Sequence, residues 1–100
     1  MNIQPWYVYI LLCDRKTFYI GITKSIRDRL LKHKNHLSFF TKKFSEVELV
    51  YCEKYENKYE AAGREKQFKG WSRAKKQMLI SGRLGHNRCT EIVEELGTKG

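Results

Sequence analysis

Two runs rich in β-branched and aromatic residues, residues 6–13 (WYVYILLC) and 18–22 (FYIGI), stand only four residues apart. A connection that short cannot carry a parallel crossover, so two such strands must fold back on each other as an antiparallel hairpin. The turn falls on Asp14-Arg15-Lys16-Thr17. Alternation along the first strand puts Tyr7, Tyr9 and Leu11 on one face and Trp6, Val8, Ile10 and Leu12 on the other. Gly21 sits inside the second strand. A strand glycine is a weakness unless something packs closely over it. Pairing Tyr9 with Gly21 would lay a ring there and bring Tyr7, Tyr9 and Tyr19 to one side; a slip of one residue would separate Tyr9 from Tyr19.

The rest of the chain alternates in the same plain way. Ser25 with Asp28 opens a helix that runs to about His36, and a polar, basic connection follows through Ser45. Residues 47–55 (VELVYCEKY) read as a third strand. Asn57 with Glu60 opens a second helix through about Lys69, and Ser72 caps a third that ends at Gly82. Thr90–Leu96 is a candidate short helix with Gly97 as its stop. The expected class is α+β: a small, three-stranded, mainly antiparallel sheet flanked by helices in the order ββαβαα. Residues 1–82 are expected to form one domain and residues 83–100 a C-terminal tail.

A chain of 100 residues has room for one modest core. It holds no apolar run long enough for a membrane span, and residues 1–5 lack the layout of a secretory signal, so a cytoplasmic location is expected. Cys13, Cys52 and Cys89 form no Cys-x-x-Cys pair and read as reduced core residues. The charge is more informative. The formal net charge is +9, and the basic residues concentrate in two places. Lys24, Arg27, Arg29, Lys32, Lys34, Lys42 and Lys43 face Asp28 alone across residues 24–43, and residues 64–76 hold six cations against Glu65. A polyanion is the natural partner, nucleic acid ahead of a membrane surface. Lys24, Arg27, Lys32, Lys42, Lys43, Lys69 and Arg73 are the candidate contacts. Phe39 and Phe40, beside Lys42 and Lys43, could stack exposed bases or fold into the core.

Three side chains stand out chemically. On the first helix Arg29 and His33 lie one turn apart at the edge of the stripe formed by Ile26, Leu30 and Leu37. They can reach a cleft between helix and sheet, where a planar guanidinium suits a phosphate oxygen. Alternatively Arg29 pairs with Asp28 or Glu46 and His33 is a boundary histidine. On the second helix Glu65 falls within the arc of Ala61, Ala62 and Phe68. A carboxylate there is costly unless it is paired, to Arg29 or Lys69, or bound to a metal. A single carboxylate completed by water and substrate oxygens suits Mg²⁺ or Mn²⁺, and the absence of Cys/His ligand spacing disfavours zinc.

Taken together, these residues resemble the GIY-YIG nuclease superfamily, closest to its small stand-alone bacterial members. The features are a hairpin with two tyrosine-bearing triplets, Tyr7-Val8-Tyr9 and Tyr19-Ile20-Gly21, Arg29 eight residues past Gly21, His33 four later, a helical Glu65, and an Arg73-Ala74-Lys75-Lys76 stretch. Tyr7 stands where the name-giving pattern has Gly, and Ile22 where several family nucleases have Lys. The resemblance covers residues 6–80. It implies an endonuclease hydrolysing phosphodiester bonds, in DNA rather than RNA, in repair or recombination, with one Mg²⁺ or Mn²⁺. It implies that Tyr9 helps activate the nucleophilic water, Tyr19 orients water or phosphate, Arg29 binds phosphate, His33 lines the site and Glu65 is the sole protein ligand of the metal. A nucleic-acid-binding module with little catalysis, and a protein-interaction module of a larger nuclease complex, are the alternatives.

Overall fold

The computed structural model describes residues 4–35, 41–82 and 89–96. The hairpin strands are β1 (Trp6–Cys13) and β2 (Thr17–Thr23). Helix α1 (Ile26–Lys34) follows, then a single 3-10 turn (Thr41–Lys43), β3 (Val47–Tyr55), α2 (Lys58–Lys69), α3 (Arg73–Ile80) and α4 (Thr90–Leu96). The sheet has three antiparallel strands in the order β2-β1-β3, so the expected α+β class and element order hold. Helix starts fall where the caps predicted them: the side chains of Ser25, Asn57 and Ser72 accept from the backbone N–H of Asp28, Glu60 and Lys75. One end differs from expectation: helix α1 stops at Lys34 with Asn35 as its C-cap, while α3 stops at Ile80 with Ser81 as its cap and the expected Gly82, at φ 92°, directly after it.

The turn is tighter than its four polar residues indicated. Thr17 joins β2, and Asp14 and Arg15 both take positive φ, 50° and 59°, although neither is glycine. Asp is among the residues that tolerate this region. Here Asp14 is also tied to β3: its N–H donates to the Glu46 carbonyl and its Oδ1 accepts from the Glu46 N–H, each at 2.8 Å.

Register settles the two faces of the sheet. Tyr9 pairs with Gly21 on one side and Cys52 on the other. A bulge in β3 lets Ile10 pair with Tyr51 and Leu11 with Leu49, leaving Val50 unmatched. Leu49 therefore joins the face of Tyr9 and Leu11, while Tyr51 turns to the face of Val8 and Ile10. Helix α1, through Ile26 and Leu30, covers the first face together with Ile92, Val93 and Leu96 of α4. Phe68 of α2 and Leu79 of α3 cover the second. The backbone N–H of Cys89 donates to the Cys52 carbonyl at 2.9 Å, docking the approach to α4 against β3. Cys13, Cys52 and Cys89 form no disulfide with one another. Among the described residues, no helix is long and apolar enough to cross a membrane.

Candidate active site

Tyr9 is the centre of the arrangement. Its ring lies over Gly21, so closely that a Cβ at that position would meet the Tyr9 hydroxyl at 2.6 Å and Cζ at 2.8 Å. The glycine is thus a steric requirement of this tyrosine. From the helix side His33, fully buried, meets the Tyr9 hydroxyl with Nε2 at 3.1 Å. Tyr19, on β2, completes a triangle of rings. Its centroid is 6.1 Å from that of Tyr9 and 5.0 Å from that of His33, and Tyr9 and His33 stand 5.9 Å apart. Arg29, half-buried one turn before His33, adds a positive charge that acts on both Tyr9 and His33. Four of the five expected site residues therefore meet on the α1 face of the hairpin.

The electrostatics follow from burial. Desolvation raises the Tyr9 phenol above its ordinary value, and neighbouring Tyr19 pushes the same way; Arg29 opposes both without overcoming them. Desolvation also lowers the His33 imidazole, and the Arg29 charge lowers it further, to about 4. At neutral pH the pair is a protonated phenol hydrogen-bonded to a neutral imidazole, with a fixed cation beside it.

Glu65 is placed differently. Its side chain is 23% exposed and pairs with Lys69, four residues on, at 3.3 Å. Among the described residues its recorded interactions end there, and α2 packs through Phe68 on the face opposite Tyr9. The pairing with Lys69 is one of the two anticipated. No group of three or more His, Cys, Asp or Glu side chains among the described residues is placed to hold a metal.

The expected nucleic-acid contacts are spread over the surface, and each is exposed. Arg27 pairs with Glu95 of α4. Lys43 lies over the Phe44 ring at 5.4 Å. Arg73 stacks over Phe18 at 4.7 Å and donates to the Lys16 carbonyl. Lys24 lies over Trp6 at 5.5 Å. Lys32 and Lys42 project from α1 and the 3-10 turn. Phe39, Phe40, His36 and Leu37 lie outside the described residues.

One buried carboxylate escaped the sequence reading. Glu53, on β3, is 0% exposed and accepts from Arg64 Nε at 2.9 Å and Nη2 at 3.2 Å, from the Tyr55 hydroxyl at 2.6 Å, and from the Tyr51 hydroxyl. Two phenols two residues to either side of a glutamate on one strand are the local signal. With every oxygen engaged, this group ties α2 to the sheet.

The GIY-YIG catalytic domain model matches residues 5–78. The chain belongs to the GIY-YIG family. A relative from Staphylococcus saprophyticus, UPF0213 protein SSP2268, is 42% identical over 75% of this chain and 93% of its own length. UPF0213 protein NP_0776A from Natronomonas pharaonis is 36% identical over 79% of this chain and 94% of its own. The solution NMR structure of the UPF0213 protein BH0048 from Bacillus halodurans is similar at a TM-score of 0.53 and 31% identity, covering 95% of this chain and 99% of that one. The family is one of nucleases that generally use a divalent metal on nucleic-acid substrates. The names of the relatives assert no activity.

Proposed function

We propose that this GIY-YIG domain is a metal-dependent endonuclease hydrolysing phosphodiester bonds, in DNA rather than RNA. The observation that supports the reading is the meeting of the Tyr9, Tyr19 and His33 rings on the α1 face of the hairpin, with the Arg29 charge acting on Tyr9 and His33. A phenol whose ionisation is suppressed is scarcely present as tyrosinate at neutral pH, so it is no ready base by itself. It remains a good relay: its oxygen can take a proton from water as its own proton passes to His33 Nε2, in the tautomer that keeps Nδ1–H. Arg29 couples that relay to substrate. Its free charge holds His33 weakly basic, whereas a phosphate bound to the guanidinium neutralises the charge and lets the imidazole accept a proton more readily. Tyr19, whose ring lies against His33, would orient the water or a phosphate oxygen.

Glu65 fits a hard divalent cation by the chemistry of its donors. It is one largely shielded carboxylate whose partner, Lys69, is an exposed and displaceable ammonium. Mg²⁺ or Mn²⁺ takes few protein oxygens and completes its shell with water and substrate. Such an ion, held by Glu65, would supply Lewis-acid chemistry toward a phosphate. Lys24, Arg27, Lys32, Lys42, Lys43, Lys69 and Arg73 would hold the backbone electrostatically.

A panel of single-stranded, duplex, flapped and branched DNA with Mg²⁺ or Mn²⁺ tests the reading, with Glu65→Gln and Arg29→Ala as controls. Cleavage by the wild type that both substitutions abolish is the expected result. A second reading, a nucleic-acid-binding module without catalysis, draws on the position of Glu65 on the helix that covers the opposite face. It predicts salt-sensitive binding and no cleavage under any metal.

A further inference from the structure

Trp6 opens β1 at the end of the sheet, half-buried, with its ring flanked by two ammonium groups from different elements. Lys24, at the junction of β2 and α1, places Nζ 5.5 Å from the ring centroid, and Lys58, the first residue of α2, places Nζ at 5.2 Å. Both lysines are exposed, and among the described residues neither has a carboxylate partner. Lys58 sits where the helix dipole disfavours a cation, so its own helix gives no electrostatic reason for it. The next residue, Tyr59, is 89% exposed, a second aromatic presented to solvent beside the same cation. Lys24 also lines an open hollow of about 210 Å³ with Tyr7, Ser25 and Arg27, so its charge borders the Tyr9 face of the sheet as well.

We propose that Trp6, with Lys24 and Lys58, is a stacking platform for an unpaired base of single-stranded nucleic acid, the two lysines gripping the phosphates on either side. An indole with flanking cations on long, flexible stems is the combination that binds a single strand without reading its sequence. The location favours a single strand over a duplex. Trp6 lies three residues along β1 from Tyr9, about 10 Å, and its side chain belongs to the other face. A flexible strand can pass round the end of the sheet between the two, whereas a stiff duplex cannot. The platform rests on the nucleic-acid part of the proposed function and is independent of catalysis.

The test is fluorescence anisotropy of a labelled single-stranded oligodeoxynucleotide in chelator, so that no cleavage intervenes. Trp6→Ala should weaken binding about tenfold, and Trp6→Phe, which keeps a smaller ring and protects the fold, by about two- to threefold. Lys24→Ala with Lys58→Ala should lower the salt slope by about 1.4, the value for two phosphate contacts on a single strand. With an abasic strand of the same length, wild type and Trp6→Ala should bind equally, because no base is left to stack. An equal loss on the abasic strand, or no loss with either Trp6 variant, would overturn the platform. The nuclease reading is judged separately, by cleavage in the Arg29→Ala and Glu65→Gln proteins. Trp6-dependent binding without any cleavage would sink that reading and leave the platform standing.

Discussion

The Tyr9 ring covers Gly21 so closely that the hydroxyl would lie 2.6 Å from any Cβ placed there. This contact links register to chemistry. It can form only when Tyr9 pairs directly with Gly21, and that register is the one that brings Tyr9 and Tyr19 to the same face as His33.

Gly21→Ala should therefore be more disruptive than a strand alanine ordinarily is. The new methyl must displace the Tyr9 ring, breaking the 3.1 Å contact to His33. The expected cost is about 1–3 kcal/mol of stability, from overpacking. Cleavage should fall by at least about tenfold, since the relay loses its alignment. Thermal unfolding and a cleavage assay on one preparation check both.

His33 gives the fold a defined pH dependence. Its imidazole is lowered to about 4 in the folded state from an ordinary value of 6.5, by burial first and by Arg29 second. Above pH 6.5 neither folded nor unfolded chain carries the proton. Below that value the unfolded chain takes it up while the folded chain does not until about 4, so stability is lost as pH falls across this window. The loss from this group is at most about 3 kcal/mol. Comparing urea unfolding of wild type and His33→Gln at pH 7, 5.5 and 4.5 isolates it: the wild type should lose more stability on acidification than the variant. Parallel curves would count against a buried neutral His33.

The Glu53–Arg64 pair should behave as a buried ion pair. Glu53→Ala leaves a cation and two phenols without their acceptor and should cost about 3–5 kcal/mol. The paired replacement of Glu53 by Leu and Arg64 by Met should recover most of that loss. A double-mutant cycle measured by denaturant midpoints tests the pairing. An additive result would mean that the two side chains are not coupled.

Much of this arrangement is legible in the residues themselves. A four-residue gap between two aromatic runs leaves only a hairpin, and a glycine within the second run favours the register that lays a ring above it without excluding a one-residue slip, which the strand pairing resolves. The spacing of Arg29 and His33 on a helix with Ile26 and Leu30 puts both at the seam with the sheet. What escapes local reading depends on long-range partners. Plain alternation along VELVYCEKY would place Leu49, Tyr51 and Glu53 on one face. The bulge at Val50 splits them, and nothing within the strand announces it. Glu53 is tolerated in the interior because Arg64, eleven residues on and on another element, comes to meet it. Glu65 was expected within an apolar arc, and it is largely shielded, but the helix that carries it covers the face away from Tyr9. A helical wheel orients a side chain about its own axis and says nothing of which sheet face the helix will choose.

The nucleic-acid reading predicts a steep dependence on salt. With about six phosphates neutralised on a single strand, the slope of log affinity against log salt should be about −4. Titrations between 50 and 200 mM salt measure it, and binding indifferent to salt would remove the electrostatic part of the account.

The most direct measurement is metal-dependent cleavage of the DNA panel by wild type and Tyr9→Phe side by side, with binding recorded in chelator for both. The substitution keeps the ring over Gly21 and removes only the hydroxyl that His33 and Arg29 address. The account predicts that the wild type cleaves, that Tyr9→Phe binds the same DNA within about twofold, and that its cleavage falls by about 10²-fold or more, the scale of a lost general base. Cleavage by Tyr9→Phe at the wild-type rate, or a wild type that binds DNA and cuts none of it with either metal, would contradict it.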